Sequence, residues 1–175
     1  MRYLIDDRGV EPEIALALYR TTLVWAASRA GRFQFSLRPS MYKSPEEVQR
    51  FYGLGTVVTP ISPKVPRTLF GWILARLLPQ REESVQVTGQ SGLAFVKALT
   101  WAEAPPKAIA GDICPVEDLI LYVGDRPLYA VYDYGRDQVL DLTEGELESL
   151  RNELQRANLD PNRVRPAPPY ITKKK

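Results

Sequence analysis

Phe33, Phe35 and Leu37 alternate with Gln34 and Ser36, a period of two that predicts a half-buried strand ended at Pro39. The same alternation recurs over residues 119–123, 128–134 and 138–142, separated by Gly124-Asp125-Arg126-Pro127 and Gly135-Arg136-Asp137. Turns that short join antiparallel neighbours, so this stretch predicts a three-strand meander. Residues 2–5, 56–61 and 84–88 read as further short strands.

Helical spacing appears elsewhere. Glu11-Pro12-Glu13 opens a helix to about residue 30, since early acids and a first-turn proline both suit a helix start. Arg29 complements its C-terminal end and Gly31 can cap it. Ile14, Leu18, Thr21, Trp25 and Ser28 fall on one side and Leu16, Leu23 and Ala27 on another, which predicts a buried, central helix. Ser44-Pro45-Glu46-Glu47 starts a short helix that stops near Gly53. Residues 67–78 form another helical stretch, with Phe70, Ile73, Leu74 and Leu77 on one stripe. Thr143 and Glu146 form a capping box before a helix striped with Leu147, Leu150, Leu154 and Ala157 and ended by Asp160-Pro161. Residues 93–101 fit both periods. Phe95, Leu99 and Trp101 favour a strand that pairs back across a Gly89–Gly92 hairpin turn.

These elements predict an α+β fold: a mainly helical N-terminal portion, then an antiparallel β-meander with a packed C-terminal helix. Residues 1–160 read as a single globular domain with a sub-domain break near 80–84, and 161–175 as an extended Pro/Lys-rich tail.

Charge sharpens that division. Residues 1–81 carry 12 basic and 6 acidic side chains, residues 82–160 carry 6 and 15, and residues 161–175 carry 5 and none. A basic helical lobe and an acidic sheet-plus-helix lobe either neutralise one another or face charged partners. The basic half sets Arg29, Arg32, Arg38, Lys43, Arg50, Arg67 and Arg76 among aromatic residues, and Lys173, Lys174 and Lys175 close the chain. That composition suits phosphate contacts as well as an acidic protein surface. Tyr129, Tyr132 and Tyr134 cluster in the meander, where they can pair across strands or anchor a partner.

Composition narrows the chemistry. The chain of 175 residues has no histidine, which removes histidine-based nucleophile systems and metal sites. Its one cysteine, Cys114, forms no internal disulfide and reads as a packed thiol. The first residues lack the apolar stretch of a secretory leader, and residues 14–30 are interrupted by Arg20 and Arg29, so a cytoplasmic protein without a membrane span is expected. Gly89-Gln90-Ser91-Gly92 lacks the second glycine of a nucleophile elbow, because Leu93 stands there. Ser40 and Lys43 match Ser-x-x-Lys without its companion motifs. Asp112, Glu117, Asp133 and Asp141 are the acids that could ligate Mg²⁺ or Ca²⁺, but no motif spacing marks them. No cofactor is expected.

The leading expectation is therefore a non-enzymatic interaction protein, an adaptor or regulatory subunit with a protein partner or a second copy of itself. The alternatives are nucleic-acid binding through the basic half and tail, and a carboxylate- or metal-dependent enzyme.

Overall fold

The computed structural model of the chain describes residues 1–58, 84–101 and 113–168. Among these residues, eight strands and four α-helices follow in the order β1 (Arg2–Ile5), α1 (Pro12–Ala27), β2 (Arg32–Leu37), α2 (Pro45–Tyr52), β3 (Thr56–Val58), β4 (Val85–Gln90), α3 (Leu93–Trp101), β5 (Asp118–Val123), β6 (Arg126–Tyr132), β7 (Asp137–Asp141), α4 (Glu144–Arg156) and β8 (Val164–Pro166). All strands join one antiparallel sheet, ordered β3-β4-β2-β5-β6-β7-β1-β8.

This order corrects the expected fold class. The N-terminal portion is not mainly helical: strands begin at Arg2, and β1, β2 and β3 are spread across the sheet rather than set apart from it. The strands after residue 84 complete the sheet around them, with β2 between β4 and β5, and β1 between β7 and β8. Local alternation reveals a strand but not its neighbour, and here most neighbours are remote in sequence.

Residues 93–101 are a helix, not a strand. Phe95 and Leu99, one turn apart, are buried, and the Phe95 ring stacks on Phe33 at 4.2 Å. The Gly89–Gly92 segment is accordingly a strand-to-helix junction rather than a hairpin. Gly89 lies within β4 because a Cβ there would stand 2.6 Å from the Phe33 ring.

One face of the sheet is the core face. Phe33, Phe35, Leu37, Val87, Leu119, Leu121, Tyr129, Val131 and Leu140 point into it and are all but fully buried. The helices pack there. Phe51 of α2 meets Phe35 edge-on at 6.2 Å, and α1 lies against both α3 and α4. The alternate residues, among them Gln34, Ser36, Thr88, Ile120 and Tyr122, form a half-exposed second face. No described helix is long and apolar enough to cross a membrane.

The helix starts follow their sequence signals. Ser44 Oγ accepts from the Glu47 N–H with Pro45 in the first position, and Thr143 and Glu146 complete a reciprocal box. The end of α4 is a left-handed closure: Asn158 sits at φ 57°, its N–H donates to Gln155 O, and Leu159 N–H donates to Leu154 O. The predicted central helix α1 buries Leu18, Tyr19, Leu23 and Trp25 but leaves Ile14 and Val24 exposed at 44% and 48%. With α3 on one side and α4 on the other, an outer ridge of α1 is covered by no other described helix.

Candidate functional site

The predicted basic residues part company once placed. Arg32 stacks over Tyr122 at 4.4 Å and reaches Asp125 at 3.7 Å, and Arg38 is ion-paired with Glu117. Both acids come from the acidic stretch, so these cations are matched inside the molecule. Lys43 and Arg50 are exposed around α2. Arg67, Arg76, Lys173, Lys174 and Lys175 lie outside the described residues, as does the helix expected over 67–78.

Arg29 is different. Its NH1 donates to Trp25 O at 3.0 Å and Ser28 Oγ at 3.1 Å, its NH2 donates to Ser149 Oγ at 2.8 Å, and its guanidinium lies 4.4 Å from the Trp25 ring centroid. None of these partners is an anion. Arg20, one helix face away on α1, has no carboxylate within ion-pair distance among the described residues, and its Nε is buried without an acceptor. Sequence reasoning picked Arg29 but not Arg20, because only packing shows which cations lack a counter-charge.

These two arginines line two adjoining depressions on the helical side. A cleft of ≈ 460 Å³ runs between the end of α1 and α4, with Trp25, Arg29, Ser149, Asn152 and Arg156 on its walls. A second, of ≈ 390 Å³, adjoins it beside Arg20, Thr21 and Thr100. The two share Val24 and Glu153 along their border. Glu153 is tied to Arg156 at 3.4 Å, and Glu148 on the same wall is exposed. The sequence produces this geometry by placing Val24 on the ridge of α1 while Leu18, Leu23 and Trp25 turn to the core.

The tyrosines divide as well. Tyr129 is fully buried and donates to Gln138 Oε1 at 2.6 Å, and burial raises its phenol well above the ordinary range. Tyr134 is buried in a turn at φ 57° rather than on the strand. Tyr132 alone is exposed, on the second face of the sheet. Cys114 is buried against Tyr19, whose hydroxyl donates to its sulfur at 3.3 Å, and burial pushes the thiol up to about 11. Such a thiol is a poor nucleophile near neutral pH.

The described acids are held by different partners. Glu117 accepts from Ser84 Oγ at 2.9 Å and is held by Arg38, while Asp133 pairs with Arg136 at 3.2 Å. Asp118 lies between them, its carboxyl raised by burial and then by Glu117 and Asp133. Asp141 is distant, beside the N-terminal ammonium at 3.1 Å, and Asp112 lies outside the described residues. Among the described residues no group of three His, Cys, Asp or Glu side chains could hold a metal ion.

No protein-family model, curated protein or solved structure matches the chain.

Proposed function

We propose that this protein is a non-enzymatic adaptor or regulatory subunit of the cytoplasm that docks an acidic, partly apolar segment of a protein partner along the outer ridge of α1. One observation carries the reading. Arg20 and Arg29 have no carboxylate partner among the described residues, and each lines one of two adjoining depressions that share the exposed Val24. Arg20 lies within α1 and Arg29 just past its end. A segment that sets an apolar side chain on Val24 and a carboxylate near each end would match both charge and surface. The buried thiol of Cys114 suits a reducing compartment.

Selection of a displayed random-peptide library on the purified chain tests this. Acidic-apolar peptides should be enriched, and their binding should fall at least tenfold with Val24→Asp. That substitution leaves the core alone, since Val24 is half exposed. Absence of enrichment, or enrichment indifferent to Val24→Asp, would overturn the proposal.

A second reading has its own observation. The second sheet face carries the Arg32–Tyr122 stack and the exposed Tyr132, a combination that can hold nucleobases. It also carries Asp118, Asp137 and Asp141 from the strands beside them, which oppose phosphate. A gel-shift series with single-stranded oligonucleotides at low salt decides it: no shift ends this reading.

A further inference from the structure

The cleft at the end of α1 has a donor arrangement more specific than a basic patch. Ser149 Oγ accepts two hydrogen bonds, from Trp25 Nε1 at 3.2 Å and from Arg29 NH2 at 2.8 Å. A hydroxyl has two acceptor positions and one donor, so the Ser149 proton is the group still to be placed. It forms no hydrogen bond to a described residue. On Arg29 both NH1 protons are used, by Trp25 O and Ser28 Oγ, and one NH2 proton by Ser149. Its Nε–H and second NH2 proton remain open.

Three donors, two of them on a cation, thus stand together on one wall. The guanidinium is also held before any ligand arrives. It lies over the Trp25 ring, which is itself 3% exposed, and is bonded to a helix carbonyl and two hydroxyls. A fixed fork of this kind loses little side-chain freedom on binding and matches the two oxygens of a carboxylate. The neighbouring charges are accounted for. Arg156 is paired with Glu153, and Glu148 is exposed, where water and salt weaken its repulsion.

We infer that Arg29 and Ser149 form a carboxylate-recognition pocket that takes the side-chain carboxylate of a glutamate or aspartate in the docked partner segment. This rests on the docking reading above and names the anchor within it. Arg29 and Ser149 contact the ligand, Trp25 positions the guanidinium, and Val24 receives the apolar neighbour.

The test follows the Trp25 Nε1–H and Arg29 Nε–H resonances by ¹H–¹⁵N NMR during titration with N-acetyl-glutamate α-amide, and in parallel with its neutral isostere N-acetyl-glutamine α-amide. A ligand of this size should saturate the shifts in roughly the millimolar range. The neutral isostere should bind at least fivefold more weakly. Ser149→Ala and Arg29→Gln should each abolish the preference for the acid, with the unchanged amide spectrum elsewhere reporting an intact fold. Arg50→Gln, an exposed change on α2, should keep it. Equal response to both ligands, or none up to ~50 mM, overturns the pocket. The two proposals can fail separately. Selected peptides that depend on Val24 but not on Arg29 or on their own acids would leave the groove and remove the pocket. A saturating acid response without peptide enrichment would leave the pocket and remove the docking function.

Discussion

A methyl group added at Gly55 would overlap the Thr88 carbonyl oxygen, which belongs to backbone that the β3–β4 pairing holds in place. Gly55→Ala should therefore cost about 2–3 kcal/mol of stability, as overpacking against an immovable group does. Gly145 is the contrast: within the first turn of α4, a Cβ there meets nothing within 4 Å. Gly145→Ala should raise stability by about 0.5–1 kcal/mol through the helical preference of alanine. Urea midpoints of the two variants should move in opposite directions. Asn158, left-handed at the end of α4, should tolerate glycine and lose about 1 kcal/mol with valine. At this scale much was legible. Ser44, Pro45, Thr143 and Glu146 announced their caps because capping chemistry lies within four residues of sequence. The need for glycine at 55 and 89 was not, because the atoms that crowd them come from another strand.

Strands and helices add a dependence on tertiary partners. The end of β1 is tied to β8 through Asp6, whose carboxylate takes Arg8 at 2.8 Å and Arg165 at 2.9 Å, while its N–H donates to Arg163 O. The Arg8 hydrogen bond, with smaller help from Arg165, holds this carboxyl at about 2. An acid whose folded pKa is depressed adds stability that is present above the unfolded value near ~3.9 and is lost as pH falls through the folded one. The β1–β8 junction should therefore weaken between about pH 4 and pH 2. Asp6→Asn should flatten that part of the stability profile, and amide exchange of β8 should rise in step. Element type was legible where length and turns agreed, as in the meander over β5, β6 and β7. It failed for α3, because nine residues with Phe95, Leu99 and Trp101 satisfy a period of two as well as a helical stripe. The stack of Phe95 on Phe33, a partner far away in sequence, decides between them.

Over the whole molecule the charge split changes meaning. Read along the sequence, a basic stretch precedes an acidic one. Folded, their strands are interleaved, and Arg32–Asp125, Arg38–Glu117 and Met1–Asp141 join across the division. Among the described residues, Arg20 and Arg29 are cations that no acid reaches, which no count of charges along the chain could identify. The same interleaving makes a prediction about folding. Among the described strands, β1, β2 and β3 all precede residue 81, yet none of them is adjacent to another. Each finds its hydrogen-bonding neighbours only in strands after residue 84. A fragment of residues 1–81 consequently cannot form any of the described strand pairs within itself, and Phe33 and Phe35 would lack the core face that buries them. Edge hydrogen bonds and apolar surface left open in that way should give no cooperative structure. The full chain should unfold in one transition, with circular dichroism and tryptophan fluorescence superimposable in urea, while the fragment should melt without a sigmoid. Two resolved transitions in the full chain, or a cooperative melt of the fragment, would show that the basic stretch has a core of its own.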